Sequence, residues 1–122
     1  MNKILLYCDD SGRSPVKNYL TVLTLKNDKD SQLNLKKIHS YIESLRIHGV
    51  RRGVPVVKHI RGKIWELRPL DKRILFFRDG DAYVLLHIFE KRTNKTPKSE
   101  IKQAEKEMKE YLERKNLNET LC

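Results

Sequence analysis

Apolar positions occur in two rhythms along this chain, one of period two and one of helical spacing. Residues 3–7 form a short, mostly apolar strand, closed by the turn residues Asp9, Asp10, Ser11 and Gly12. Ser14 followed by Pro15 reads as an N-cap and first helical residue, because proline fits where no amide partner is needed. Val16, Tyr19, Leu20 and Leu23 then recur at helical spacing. After a polar connector over 27–31, Leu35, Ile38, Ile42 and Leu45 make the stripe of a second helix, with Gly49 as its stop. Together these helices form an N-terminal α-hairpin.

Residues 51–62 read as a basic loop, and three strands follow. In the first, over 63–68, Trp65 and Leu67 fall on one side and Ile64, Glu66 and Arg68 on the other. The second covers 73–78 and the third 82–90. Pro69–Lys72 makes one turn, and Asp79-Gly80-Asp81 is a hairpin signal for the other. Imperfect alternation in these strands implies a sheet covered on both faces. Thr96-Pro97 repeats the cap-and-proline signature. Ile101, Ala104, Met108 and Tyr111 or Leu112 form the stripe of a C-terminal helix, supported by Glu105–Lys109 and Glu110–Arg114 pairs. The order β-α-α-β-β-β-α predicts an α+β fold on an antiparallel sheet. One domain over 1–115 and a polar tail over 116–122 are expected.

Composition narrows the function. The chain has 122 residues, of which 39% are apolar and 34% charged, so it is neither a polyelectrolyte tail nor a membrane span. The opening residues, a very short apolar run ending in two acids, are not expected to be a signal peptide, which points to the cytoplasm. Cys8 and Cys122 are then expected as free thiols. The net charge is +10, and nearly all of it falls on residues 46–98, which hold fourteen basic and five acidic side chains. That concentration points to a polyanionic partner, nucleic acid or an acidic protein.

The four histidines lack the spacing of zinc ligands and the five glycines are isolated, so no metal, cofactor or phosphate-binding loop is expected. Nothing near Cys8 would activate it as a nucleophile. The informative feature is cationic. Arg68 ends one strand and Arg73 begins the next, so an antiparallel pair brings two guanidiniums together on one face. Like charges opposite each other weaken a sheet, unless an anion is held there. Lys91 and Arg92 leave the third strand beside them. Lys95 and Lys98 follow in the next loop, and Lys58, Arg61 and Lys63 join from the preceding one. The alternative is that Arg68 pairs with Glu66 or Asp71 and the rest is solvated.

Converging cations suit phosphodiester chemistry, since guanidiniums can meet the charge that develops on phosphorus, and a crowded lysine is a possible base. Trp65, Phe76, Phe77, Tyr83 and Phe89 are interleaved with the cations. Most suit a core, but Phe77 shares Arg73's parity and is the candidate for stacking a base. His87 is either a proton donor or a core histidine making one hydrogen bond.

Four ordered segments resemble a known family. Residues 57–68, VKHIRGKIWELR, are similar to its K-x-L-x-x-G-L-x-E-L-R stretch. Residues 72–77, KRILFF, resemble Y-R-V-L-Y-F. Residues 85–97, LLHIFEKRTNKTP, resemble L-L-H-G-F-x-K-K-T-x-K-T-P, and 100–104, EIKQA, resemble E-I-x-x-A. On these motifs the chain resembles the HigB-like, phage-derived branch of the RelE/ParE toxin superfamily.

The resemblance implies a RelE-like fold and the toxin of a type II toxin–antitoxin pair: a hydrolase of the mRNA interferase type, cutting mRNA in the ribosome without metal. It implies a HigA-like helix-turn-helix antitoxin in a toxin–antitoxin heterotetramer, and contacts to mRNA and rRNA. Arg73 matches the motif arginine that stabilises the phosphate, and Arg68 the preceding arginine. Lys91 and Arg92 fall where a basic residue assists the leaving group. Glu66 stands where RelE has a strand lysine proposed as base, so Glu66, Lys58 and Lys95 all remain candidates for that role. Lys72 replaces the motif's tyrosine. A ParE-like, non-enzymatic gyrase poison on the same fold is the alternative.

Overall fold

The structure, a computed structural model, describes residues 1–119. Its elements run β1 (Lys3–Leu6), α1 (Pro15–Leu25), α2 (Lys29–His48), β2 (Val57–Arg61), β3 (Ile64–Leu67), β4 (Lys72–Asp79), β5 (Ala82–Glu90) and α3 (Lys98–Asn116). The five strands form one sheet in the order β1-β5-β4-β3-β2. The α+β class matches the sequence reading. The sheet is mixed rather than wholly antiparallel, because β1 pairs parallel with β5. From Thr120 on, including Cys122, the expected tail lies outside the described residues.

Local chemistry explains the helix ends. Ser14 caps α1 by accepting from the Lys17 amide, with Pro15 at the first position. Asp28 caps α2 through the Ser31 amide at 2.7 Å. Gly49 ends α2 at φ +61°, ψ −141°, a conformation that glycine alone adopts readily. A Cβ there would also stand 2.8 Å from the Tyr83 hydroxyl. Gly49→Ala is therefore expected to cost about 1–3 kcal/mol, read as a lower urea midpoint.

The α-hairpin covers one face of the sheet, where Val16, Ile38 and Leu45 pack on Leu67, Ile74, Phe76 and Leu85. On the other face, Ala104 and Tyr111 of α3 pack on Ile64, Leu75, Phe77, Val84 and Leu86. Cover on both sides explains why β4 and β5 each carry six consecutive buried residues instead of alternating. The far end of α3 is tied down through hydrogen bonds from Arg114 to the Cys8 carbonyl and from Tyr7 to Glu110. Cys8 is buried and disulfide-bonded, which corrects the expectation of a free thiol.

Two departures from the sequence reading shape the site. Residues 57–61, expected as loop, form the edge strand β2, which places Lys58 opposite Glu66. In β5 the register slips by one: Leu75 pairs with His87 but Phe76 with Leu85. The extra residue turns His87 toward α3 and keeps Phe89 on that face, opposite Arg73.

Candidate active site

Strand parity puts Ile64, Glu66 and Arg68 of the β3 segment on the α3 face, and Arg73 joins them from β4. The turn between these strands is tight: the Lys72 amide donates to the Pro69 carbonyl at 2.9 Å, and Leu70 adopts φ +55°. Arg73 Nη1 donates to the carbonyls of Leu70 and Lys72 at 2.8 and 2.7 Å, which fixes its guanidinium. The Lys91 amide donates to the Asp71 carbonyl at 2.7 Å, which brings the end of β5 against the same turn.

Glu66 lies between the two arginines. Its Oε1 is 3.6 Å from Arg68 Nε and 3.7 Å from Arg73 Nε, and its side chain is 3% exposed. Both distances exceed a hydrogen bond, so Glu66 balances the pair without saturating it. Arg68 Nε is buried with no hydrogen-bond partner. A buried guanidinium nitrogen left open is costly, and the Arg68 side chain lines a cleft. Arg73 has its pKa lowered by burial and then by the charge of Arg68, with Glu66 acting in the opposite sense. It stays cationic near neutral pH all the same. The resulting site is short of negative charge.

The cleft is lined by six cations, Lys58, Arg68, Arg73, Lys91, Arg92 and Lys95, against the single carboxylate of Glu66. Thr96 closes one side, its hydroxyl donating to Glu66 Oε2 at 2.6 Å. That bond replaces the helix cap expected of Thr96; α3 begins after Pro97 with no side-chain cap. The sequence reading missed Thr96 for this reason. The two readings of Arg68, ion pair with Glu66 or member of a cation cluster, are both realised at once.

Other expected residues fall elsewhere. Arg61 and Lys63 lie at the opposite end of β3, where Arg61 pairs with Glu105 of α3 at 2.5 Å. Lys98 is exposed at the start of α3 and does not line the cleft. Phe77 is 1% exposed, edge-on to Tyr111 at 5.7 Å, which corrects its assignment as a stacking platform: α3 covers the face on which it lies. Among the described residues no group of three or more histidine, cysteine, aspartate or glutamate side chains could hold a metal ion. No helix among them is long and apolar enough to cross a membrane.

His87 makes two hydrogen bonds rather than one. Nδ1 meets Glu107 at 2.6 Å and Nε2 meets Glu100 at 2.9 Å, joining β5 to the first half of α3 beside the cleft. Burial disfavours its charge, but the bonds and charges of Glu107 and Glu100 outweigh that and raise its pKa above 6.5. This clamp's contribution is complete below the unfolded imidazole's pKa of about 6.5 and fades as pH climbs through the raised folded value. The urea midpoint is expected to fall between about pH 6 and pH 9, and His87→Gln to flatten that fall.

The family model described as phage derived protein Gp49-like (DUF891) matches residues 26–109. No curated protein matches the chain. Among solved structures, a chain of the YoeB-YefM complex from Staphylococcus aureus is similar to it, with a TM-score of 0.52 at 12% identity. That likeness covers 76% of this chain and 99% of the other. At such identity it concerns the fold, an α+β sheet flanked by helices.

Proposed function

This chain belongs to the phage-derived Gp49-like family, and we propose that it is the toxin of a toxin–antitoxin pair that cuts mRNA on the ribosome. The observation that carries the reading is the buried, unsatisfied Arg68 Nε beside Arg73, in a cleft with six cations and one carboxylate. Such a site is preorganised for a phosphate whose charge grows during reaction. Support also comes from the HigB-like motifs and from a fold shared with one chain of a two-protein complex.

In this reading Arg68 and Arg73 hold the scissile phosphate. The 2′-hydroxyl of the RNA attacks phosphorus, and its proton passes to Glu66, Lys58 or Lys95, all of which line the cleft. The bond to the 5′-oxygen breaks, and Lys91 and Arg92 stabilise or protonate that oxygen. The products are a 2′,3′-cyclic phosphate and a 5′-hydroxyl, and neither metal nor cofactor takes part. Thr96 is a positioning residue that holds Glu66 and the 91–97 loop in place. A helix-turn-helix antitoxin of HigA type covers the cleft in a heterotetramer, and the pair works in the cytoplasm.

Purified protein added to ribosomes programmed with mRNA is expected to produce cuts with those ends. Intact mRNA together with inhibited gyrase supercoiling would overturn the nuclease reading in favour of a gyrase poison.

A further inference from the structure

A second pocket adjoins the cationic cleft, between the start of α2 and the β3–β4 turn. Arg73 and Lys91 line both. The two differ in charge. The second pocket sets three cations, Lys72, Arg73 and Lys91, against three carboxylates, Asp30, Asp71 and Glu90. Lys72 is already engaged there, 3.5 Å from Asp71 and 3.3 Å from Glu90. A phosphate gains little from such a balance, whereas an uncharged group carrying both donors and acceptors finds partners of both kinds.

Asn34 supplies the sharper clue. It lines this pocket and is 8% exposed. Its amide donates to the Asp30 carbonyl at 3.0 Å, while its Oδ1 is buried and has no donor. A buried acceptor without a donor is uncommon in a folded chain. Leu70, exposed beside it, offers an apolar edge.

Building on the nuclease reading, we propose that this pocket holds a nucleobase next to the scissile phosphate, and that Asn34 selects guanine there. The Watson–Crick edge of guanine carries two adjacent donors, N1–H and the N2 amino group. Uracil offers one, and adenine and cytosine place acceptors beside their single amino group. Those two donors can meet the carboxylates and Asn34 Oδ1 while guanine O6 faces the lysines, so a pocket of mixed sign discriminates in guanine's favour, as single-stranded RNA readers do when a base is splayed out.

The test uses ribosome-bound mRNAs that differ at one nucleotide flanking the cut. The wild-type protein is expected to cleave the guanine message about tenfold or more faster than the adenine message, with inosine, which lacks the N2 amino group, in between. Asn34→Ala is expected to erase the difference, its melting curve confirming that it folds. Equal rates for all four bases on both sides of the cut, or a preference untouched in Asn34→Ala, would overturn the subsite. Guanosine titrated into the protein separates this from failure of the nuclease reading. A shift of the Asn34 side-chain amide with guanosine but not uridine supports the subsite even if no RNA is cut, and no shift with either nucleoside refutes it.

Discussion

Replacing Arg73 by alanine is expected to abolish growth arrest and to slow mRNA cleavage by about 10²–10³-fold, the usual loss when one preorganised charge-stabilising donor is removed. The variant should stay folded. Arg73 makes two bonds to carbonyls of its own turn and a long contact to Glu66. Against these stand the burial of its charge and the repulsion from Arg68, which together lower its pKa. Glu66 keeps Arg68 and Thr96 as partners, so no buried carboxylate is stranded. Arg73→Lys should recover only part of the activity, because an ammonium lacks the planar fork. Cleavage assays and thermal melts on the same preparations check this; full toxicity in a folded Arg73→Ala protein would remove the arginine from the mechanism.

Phe76→Ala should act in the opposite way, unfolding the protein without touching the cleft. Phe76 is fully buried on the α-hairpin face, edge-on to Tyr83 at 5.6 Å. Truncating a buried phenylalanine costs about 3–5 kcal/mol through lost transfer energy and the cavity left behind. For a domain of this size that lowers the urea midpoint by roughly 2 M. A change of less than a quarter of that would mean that the hairpin closes onto the sheet without its central ring.

These two residues, adjacent in one strand except for Ile74 and Leu75, also show what was legible in the sequence. Strand parity is local, so Glu66, Arg68 and Arg73 could be placed on one face without knowing the fold. The caps Ser14 and Gly49 are equally local. What covers a face is not local. Phe77 has the parity of Arg73, but α3 lies over it, and its fate depends on a helix whose Tyr111 is 34 residues away. β2 escaped because an edge strand carries few inward apolar residues; Val57 alone is fully buried in it, and its pairing with β3 defines it. Thr96 looked like a cap because the competing acceptor, Glu66, is 30 residues distant. Arg61 and Lys63 belong to the basic run in sequence but to the far end of the sheet in space. Asn34 gave no signal at all, since an open buried acceptor is a property of packing.

The proposed mechanism requires Arg68 and Arg73 together to hold a phosphate of the RNA. Nitrogen-detected resonances of the arginine Nε–H groups, followed while a short single-stranded RNA with a 2′-deoxy residue at the cut site is added, test it most directly. Arg68 and Arg73 are expected to move together and saturably, with Arg61 and Arg78 unmoved. Movement of Arg61 or Arg78 with Arg68 and Arg73 unchanged would contradict it.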